Sequence, residues 1–597
     1  MRKGALLLHV APTLLFSFLV FFPLYLGFTR LITVAELSPF AAIWQIDSRP
    51  SGIGAITFTF IEASISTILT ILLGIPIAWT LARDNWPGRI YLRAIFTMPF
   101  VMPSIIAAVG FLALIGTDGP LYPLGIDLRQ QSGIIGKISD ATGWENPGHF
   151  IALIAAHIWF NLALTIRFLE PPLSNLNPNI EESIKLLPGG NNIFSRMKNL
   201  WLPLLSPNIA AASVMTFIFS FTSFALVRWL TPSSFTLERL MAEHGGAAGI
   251  PDYGMGDAQI VLGSATIQLI TIMISLILLN WLQKRNGAAM PFALSKGQKR
   301  QIPYREMSFA SILKTFYFIS ILIFVLAPLI AVFRSSFRMR VRTGDVGFTQ
   351  QWTLEGWSSL STLSWNQTTI TEALFNSLGY AALTLLIAVP LGIIFANNIH
   401  LSDEIAKIAK TRRKRLFWKY WARGNDFLVM FPLAISAVLI GLGVSLGLLN
   451  TWPSLSQRWW FPAIGHILIA TPFVVRSILP AIRSLNPDYS KAAALLGLGP
   501  IERMFKITLP LLSGPIVVAS SLALAISLGE FGATWVVLRN GASSTLPVHI
   551  DSLFSKPGFD PLVTPTAMAG ASVLMAITLI LYVMVEKYRP DGAGGEF

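Results

Sequence analysis

Residues 486–510 read Asn-Pro-Asp-Tyr-Ser-Lys-Ala-Ala-Ala-Leu-Leu-Gly-Leu-Gly-Pro-Ile-Glu-Arg-Met-Phe-Lys-Ile-Thr-Leu-Pro. Asn-Pro suits the first turn of a helix, the run from Lys491 to Leu496 favours a helix, and Gly497 predicts its end. A short basic segment then leads to Pro510, and long apolar runs flank the whole stretch. A short polar helix held between two apolar runs predicts a contact surface for a moving partner.

The composition places these apolar runs in a membrane. Of 597 residues, 53% are hydrophobic and 12% are charged, and the mean hydropathy is +0.62. Average proteins carry about 25% charged residues. Many runs are long enough to cross a hydrocarbon core of about 30 Å, and helices satisfy their own backbone groups there. The runs lack the alternation of a membrane β-barrel. We therefore predict an all-α, polytopic membrane protein.

Charge and cysteine content narrow the function further. The absence of cysteine excludes disulfides, thiol catalysis and thiolate metal sites. A net charge of +14 suggests either nucleic acid or basic cytoplasmic loops. The basic residues concentrate in alternate loops, most strongly at 407–423. Membrane topology therefore explains them, and no nucleic-acid partner is predicted.

The apolar runs give twelve spans with both termini in the cytoplasm. The first run follows Arg2 and Lys3 and has no convincing cleavage site, so we interpret it as a retained span rather than a signal peptide. One predicted outer stretch departs from the charge rule, since Arg334, Arg338, Arg340 and Arg342 follow the seventh span. The predicted spans are 5–28, 56–81, 90–115, 150–168, 207–229, 259–282, 312–333, 371–399, 428–449, 460–479, 516–537 and 562–585.

The chain repeats itself once. The predicted domains are a first half at 1–282, a cytoplasmic linker at 283–308 and a second half at 309–597. Six spans in each half predict parallel repeats about a pseudo-two-fold axis along the membrane normal. The matching features are Asn177-Pro178 with Asn486-Pro487, Leu-Pro-Leu-Leu-Ser at 202–206 and 509–513, Pro76 with Pro390, and His157 with His466.

The opening stretch resembles a known motif. Lys491-Ala492-Ala493, Gly497 and Ile507-Thr508-Leu509-Pro510 have the spacing of the Glu-Ala-Ala loop of ABC-importer permeases, with Lys491 in place of glutamate. The first half holds a less regular copy, with Pro188 where glycine is expected and two extra residues before its Leu-Pro. The residues that the resemblance assigns to coupling with an ATPase are Glu182, Ser183, Gly189, Pro203, Lys491, Ala492, Ala493, Gly497, Ile507, Leu509 and Pro510.

The resemblance covers the whole chain. Twelve spans in two fused halves are similar to the permeases of iron(III), thiamine and polyamine importers. Ser527–Thr534 and Ser544–Pro547 are most similar to the thiamine permease and its iron(III) relatives. The resemblance implies a type I importer permease fold in the bacterial inner membrane, which moves a small solute by alternating access.

The resemblance also implies partners. It implies two ATP-binding cassette subunits in the cytoplasm, a solute-binding protein outside and surrounding membrane lipid. The chain has no Gly-x-x-x-x-Gly-Lys-Ser/Thr phosphate loop. We therefore expect no cofactor on this chain, with ATP and magnesium held by the partner ATPase. Outer loops 116–149 and 334–370 are either docking sites for the binding protein or ordinary connectors.

A few ionisable residues fall inside predicted spans, where charge is costly and suggests function. They are Glu62, His157, His466 and Glu530, and Ser223 is the repeat counterpart of Glu530. A carboxylate suits a cationic substrate or iron, although an interhelical hydrogen bond is the alternative. Equivalent histidines can ligate a metal. No cluster has ligand spacing, so packing is favoured and no metal site is predicted.

Two other classes compete with the importer hypothesis. A secondary, ion-coupled transporter also uses repeats and midplane sites, but it has no use for the Gly-to-Pro loop. A membrane-embedded enzyme is less favoured, because no His-Glu-x-x-His motif, facing aspartate pair or Ser-Lys dyad is found. We therefore expect a transport subunit rather than an enzyme, and no catalytic residues.

Overall fold

The structure, a computed structural model, is helical through most of its length. Nine of its helices are long and apolar enough to cross a membrane, and three bent helix pairs raise this number to twelve within the described part of the chain. The predicted all-α, twelve-span fold is therefore confirmed. The residues described are 3–48, 54–85, 88–116, 119–129, 133–143, 146–174, 192–245, 254–289, 300–301, 309–343, 347–538, 543–556 and 560–588.

Nineteen helices are labelled here in chain order. They are α1 (Lys3–Ala35), α2 (Ala55–Arg83), α3 (Arg89–Thr97), α4 (Ser104–Ile115), α5 (Pro147–Ser174), α6 (Leu202–Phe221), α7 (Ala225–Leu230), α8 (Leu237–Gly245), α9 (Met255–Ala289), α10 (Phe309–Ser335), α11 (Ile370–Ile408), α12 (Arg412–Ala434), α13 (Ala437–Leu442), α14 (Ala463–Ser484), α15 (Pro487–Leu495), α16 (Ser513–Gly529), α17 (Gly532–Leu538), α18 (Leu546–Phe554) and α19 (Val563–Tyr588).

Short helical turns and short strands connect these helices. The turns are Pro39–Ala42, Ile43–Ser48, Met98–Val101, Tyr122–Leu124, Ile134–Thr142, Ile193–Arg196, Met197–Trp201, Glu355–Ser358, Ser359–Ser361, Gly443–Leu449, Pro453–Gln457, Pro500–Arg503, Met504–Thr508 and Leu509–Leu511. The strands form three pairs, β1 (Asp84–Asn85) with β2 (Arg300–Gln301), β3 (Arg338–Thr343) with β4 (Gly347–Trp352), and β5 (Ser364–Trp365) with β6 (Thr368–Thr369).

The chain forms two compact units, whose composition differs from the two halves of the sequence. Helix α1 belongs to the unit that contains the second repeat. Helix α10, which opens the second half, belongs to the unit that contains the first repeat. Each unit therefore contains one helix, α1 or α10, that comes from the other half of the sequence. Unit 1 is Met1–Ile43, Met241–Gly263 and Met339–Phe597, and unit 2 is Trp44–Leu240 and Ser264–Arg338.

Small residues bring α1 against Gly443–Leu449 of the same unit. Gly443 and Gly447 follow the Gly-x-x-x-Gly spacing that lets membrane helices approach closely. A Cβ atom added to Gly447 would lie 2.5 Å from the Pro23 carbonyl oxygen, and one added to Gly27 would lie 3.1 Å from the Gly443 Cα. The Thr13 hydroxyl also donates to the Asn425 side-chain oxygen at 2.6 Å. Backbone-to-backbone packing therefore holds α1 in place.

The third span of each repeat is sharply bent. Tyr91–Val101 and Ser104–Ile115 meet at 103°, and Arg412–Ala434 and Ala437–Leu449 meet at 94°. Pro103 lies at the first break, where its missing N–H removes a helical hydrogen bond. By contrast, Pro76 in α2 and Pro390 in α11 lie inside continuous helices. The identity of the residue alone therefore does not locate a bend.

The linker is shorter at its start than the sequence predicted. Helix α9 continues to Ala289, so the first residues of the predicted linker 283–308 are helical. Residues 290–299 and 302–308 lie outside the described part of the chain. The assignment of this segment as a cytoplasmic linker stays a prediction.

The packing of α1 gives a testable prediction. Gly447→Val places two methyl groups against backbone atoms that cannot move aside, and overpacking of this kind costs about 1–3 kcal/mol. Gly379→Val is the matched control, because a Cβ at Gly379 meets nothing within 4 Å. We expect a thermal midpoint several degrees lower for Gly447→Val alone, measured on the purified protein in detergent. Equal midpoints for the two variants would contradict the proposed contact.

Candidate functional site

The predicted helix in the opening stretch is α15. The Asn486 side-chain oxygen accepts a hydrogen bond from the Asp488 amide at 2.9 Å, so Asn486 caps the helix. Pro487 occupies the first helical position, where a missing N–H costs nothing. Tyr489 is exposed and Ala493 is buried. The helix therefore presents one side to solvent and leans on the protein with the other.

Gly497 ends α15 for a defined geometric reason. Its φ of +84° lies in the left-handed region. The Gly497 amide donates to the Ala494 carbonyl and the Leu498 amide donates to the Ala493 carbonyl, each at 3.1 Å. These two bonds form a Schellman motif, in which glycine is favoured because it has no Cβ. The glycine of the sequence motif is therefore required by the backbone.

A second turn starts immediately after this motif. The Gly499 amide donates to Glu502 at 3.1 Å, and Lys506 lies 3.4 Å from the same carboxylate. The hydrogen bond from Gly499, followed by Lys506, lowers the pKa of Glu502 below its usual value. Glu502 is therefore charged at neutral pH and supports the start of the Pro500–Arg503 turn.

The surface of this segment is apolar. Leu495 is 89% exposed and Leu496 is 82% exposed, and Tyr489, Phe505 and Leu511 are also exposed. Several large apolar side chains on one short segment mark an interaction surface. We call residues 486–511 the coupling segment, after the role that the resemblance implies for them.

The coupling segment meets the next span at an elbow. Met504–Leu511 and Ser513–Gly529 cross at 72°, with Leu512 buried at the break. The corresponding stretch of the first repeat, Met197–Phe221, is one continuous helix that includes Pro203. The two repeats therefore differ in how this segment joins its fifth span. Glu182, Ser183 and Gly189 lie outside the described residues.

A buried polar network ties α14 to α16 in unit 1. His466 Nδ1 lies 2.8 Å from Ser527 Oγ, and His466 Nε2 lies 2.9 Å from Thr534 Oγ1. Ser527 Oγ is 3.3 Å from Thr384 Oγ1 on α11, and the Tyr380 ring is 5.8 Å from the His466 ring. Both nitrogens of the imidazole are therefore engaged by side chains of other helices.

Glu530 occupies a break between helices rather than the interior of a span. It follows the end of α16, and its carboxylate accepts hydrogen bonds from the Ala533 amide at 2.7 Å and the Thr534 amide at 3.0 Å. The Thr534 hydroxyl also donates to it. These amides belong to the first turn of α17, where backbone donors otherwise lack partners. The geometry makes Glu530 the cap of α17.

Unit 2 contains a different polar seam, between α2, α5 and α6. Glu62 Oε2 lies 2.9 Å and Ser66 Oγ lies 3.2 Å from His157 Nδ1. Asn161 donates to Ser220 Oγ at 3.1 Å. All five side chains are buried. Buried polar side chains in apolar surroundings are stabilised by contact with one another. The seam therefore fixes how each of these helices is rotated about its own axis.

The repeat reproduces the histidine but not its surroundings. Asn161 corresponds to Ala470, and Glu62 corresponds to Asn376, at the repeat offsets set by His157/His466 and Pro76/Pro390. The carboxylate near each histidine therefore comes from a different helix, α2 in unit 2 and the α16–α17 break in unit 1. Within the part of the chain that the structure describes, no three His, Asp or Glu residues form a metal-ion cluster.

Comparison with known proteins decides the family. Residues 388–590 match the family described as binding-protein-dependent transport system inner membrane component. The thiamine transport system permease protein of Escherichia coli strain K12 is 23% identical over 574 residues, which cover 94% of this chain and 95% of that protein. Over nearly its whole length the chain is therefore similar to ABC-importer permeases, and residues 388–590 match the domain of that family.

Other relatives agree with this family. The thiamine transport system permease protein of Haemophilus influenzae is 23% identical, over 89% of this chain and 88% of that protein. The putative 2-aminoethylphosphonate transport system permease protein of Salmonella paratyphi A is 31% identical over 172 residues, which cover 28% of this chain and 63% of that protein. The permease is thus of the fused two-half type, a multi-pass inner-membrane transport protein rather than an enzyme.

Some members of the site were not predicted from the sequence. Thr534 and Thr384 were missed because an isolated threonine in a span carries no signal. Asn161 was missed as well, although it lies four residues after His157 and shares its helix face. Ser223, the predicted repeat counterpart of Glu530, lies at the break between α6 and α7. Ser223 and Glu530 therefore both lie at a break between two helices, at corresponding positions of the two repeats.

The second quoted motif of the permease packs against α11. Asn376 donates to the Ser544 carbonyl at 3.2 Å, Tyr380 donates to the Ser543 carbonyl at 3.2 Å, and the Leu546 amide donates to Ser377 Oγ at 2.8 Å. Helix α18 follows directly. The Ser527–Thr534 and Ser544–Pro547 motifs therefore contact the same helix.

His549 in α18 gives a pH prediction. Burial lowers its pKa to about 4, against a smaller opposing effect of Glu372. The unfolded chain binds a proton near pH 6.5 and the folded chain does not, so stability is present above pH 6.5 and falls as the pH drops towards 4. The full loss is about 3 kcal/mol.

The measurement is the thermal midpoint of the purified permease between pH 7 and pH 4. We expect the wild type to lose more stability than His549→Gln, which has no proton to gain. Parallel curves for the two proteins would show that His549 does not titrate in this way.

Proposed function

We propose that this permease imports a small organic cation of the thiamine type, driven by two ATPase subunits that grip it at the coupling segment and its first-repeat copy. The observation that carries the proposal is the exposed apolar surface of the coupling segment, with Leu495 and Leu496 at its tip. An exposed apolar surface of this kind on a short connecting segment supports contact with a partner protein. A partner with an apolar groove covers it.

The geometry supports a lever. Helices α14 and α16 are joined at one end by the coupling segment, which connects Ser484 to Ser513. Near their other ends, His466 is bound to Ser527. A pair of helices tied at both ends moves as one body. A displacement of the coupling segment therefore moves α14 and α16 together and displaces the α16–α17 break.

The proposed orientation follows from this lever. ATPases are cytoplasmic, so the coupling segment, the basic stretch 407–423 and both termini lie inside. The outer loops 116–149 and 334–370 then face the solute-binding protein. The chain contains no cysteine, so a cysteine introduced into one of these loops is the only thiol available for labelling. Labelling of that cysteine from one side of the membrane checks the proposed side of the loop.

The substrate is proposed on a narrower basis. Support comes from thiamine permeases of similar length that match nearly the whole chain. Iron(III) is the second candidate and has support only from the sequence motif. The site residues Glu62, His157, His466 and Ser223 remain proposed contributors to the pathway. The carboxylate of Glu530 is committed to the α17 amides, which favours a structural role for it.

The coupling proposal is tested at Gly497. Gly497→Val forces a branched side chain into a left-handed conformation at a cost of about 1–2 kcal/mol, so the Schellman turn should open. Gly497→Asn is the matched control, because asparagine tolerates this conformation. We expect Val to lose most ATPase association and ATP-driven uptake, and Asn to retain both. Normal transport by the Val variant would refute the proposed coupling surface.

The class and the substrate are tested together in vesicles. The permease is reconstituted with the ATPase and binding protein produced from the same source, and uptake of labelled thiamine and labelled iron(III) is measured. ATP inside the vesicles should drive uptake of thiamine with ionophores present. Uptake that needs an ion gradient and no ATPase would instead establish a secondary transporter.

A further inference from the structure

Helices α11 and α12 form a hairpin that is longer than the membrane requires. Helix α11 contains 39 residues, which corresponds to about 58 Å, whereas a hydrocarbon core is about 30 Å thick. Helix α12 begins at Arg412, after a turn of three residues. One end of this hairpin therefore extends past the hydrocarbon.

The extension is specific to the second repeat. The offset between repeats is 314 residues at Pro76 and Pro390, and it is 333 residues at Pro99 and Pro432. The second repeat thus has 19 additional residues between these points. They form the tip of the α11–α12 hairpin, which has no counterpart in the first repeat.

The tip carries a basic stripe. Arg412, Arg415, Lys419 and Arg423 are spaced by three, four and four residues, so they share one face of α12. Their side chains are exposed. Within the described residues none of the four forms an ion pair. We call this set the basic stripe.

Nearby acidic residues are already paired. Asp403 lies 3.0 Å from Arg483, and Glu404 lies 2.7 Å from Lys407. In the first repeat, by contrast, Arg89 at the start of α3 lies 3.1 Å from Glu170. Among the described residues no carboxylate pairs with the basic stripe, which is thus a local excess of positive charge.

Exposed aromatic side chains lie on the same segment of α12, and Tyr420 is three residues before Arg423. Phe417 is 56% exposed and stacks near Trp421 at 6.2 Å, and Tyr420 is 64% exposed. Tyrosine and tryptophan rings are enriched where membrane proteins meet the polar headgroups. In bulk water their exposure is unfavourable. These rings are therefore more stable in contact with a surface that is both charged and apolar than in bulk water.

The depth of the stripe matches the headgroup layer. Arg483 is at the end of α14, where the chain leaves the membrane for the coupling segment, and its partner Asp403 lies on α11. Asp426 of α12 contacts Arg476, about two turns further into the bundle. Residues 412–423 of α12 therefore lie around the level of Arg483. This is where lipid phosphates lie in the proposed orientation.

We propose that the basic stripe binds the headgroups of anionic phospholipids in the cytoplasmic leaflet. Arginine and lysine would contact the phosphates, and Tyr420 would lie among the glycerol and upper acyl groups. Clusters of four to eight basic residues next to a membrane span recognise anionic lipid in this way. The inference goes beyond transport, since it concerns the lipid that the permease recruits.

The test uses the full-length permease purified in detergent, without ATP or substrate, so its outcome does not depend on the proposed transport function. Phosphatidylglycerol and phosphatidylcholine of equal chain length are added, and retained lipids are counted by native mass spectrometry. We expect the wild type to retain phosphatidylglycerol selectively. The variant Arg412→Gln/Arg415→Gln/Lys419→Gln/Arg423→Gln should lose this preference by about tenfold or more.

Two control proteins separate the stripe from net charge and from folding. Arg334→Gln/Arg338→Gln/Arg340→Gln/Arg342→Gln removes the same charge elsewhere and should retain selective binding. Arg412→Lys/Arg415→Lys/Lys419→Arg/Arg423→Lys preserves the charge of the stripe and should also bind. If the glutamine variant of the stripe aggregates, the loss of wild-type binding in 0.5 M salt provides the same test.

Two results would overturn the proposal. One is equal retention of phosphatidylglycerol by the wild type and the glutamine variant of the stripe. The other is a glutamine variant that keeps the lipid but no longer binds the ATPase, which would assign the stripe to an acidic protein surface instead.

Discussion

Hydrocarbon offers no hydrogen-bond partner, and this constraint decides how each broken span of the permease is built. A helix that starts inside the membrane has free backbone amides, which need an acceptor from the protein. At the start of α13 the acceptor is Ser436 Oγ, which takes a hydrogen bond from the Leu439 amide at 3.0 Å. At the start of α17 it is the Glu530 carboxylate. The bends exist because local side chains supply what lipid cannot.

The same constraint explains why the two repeats have diverged. The first repeat joins α2 to α5 through Glu62 and His157 and joins α5 to α6 through Asn161 and Ser220, and the second has Ala470 in place of Asn161. The second instead joins α14 and α16 through His466 and the α16–α17 break. Each network lies within its own unit. A side chain of one network, placed at the equivalent position of the other repeat, would lack its hydrogen-bond partners. The two halves are therefore not interchangeable.

The sequence predicted the spans well, because twenty apolar residues have few other uses. It also predicted α15 and its end, since the Asn-Pro start and Gly497 act through local backbone geometry. It did not predict that Glu530 caps a helix, because a break inside an apolar run leaves no periodic signal. Nor did it reveal the pairing of Glu62 with His157, 95 residues apart, which depends on helix rotation.

The position of α1 was the other feature beyond the reach of the sequence. Its packing surface at Gly443 and Gly447 belongs to the opposite half, and no local pattern links it to Gly27. The exchange of α1 and α10 between units means that a cut in the linker would leave each fragment with a helix that belongs to the other.

This arrangement has a consequence for biosynthesis. Gly27 leaves the ribosome 416 residues before Gly443, which at 5–20 residues per second is an interval of about 20–80 s. During that time α1 sits in the bilayer without its docking surface. The nascent chain must therefore hold its first helix in lipid, or with a chaperone, until the second half of the chain has been translated.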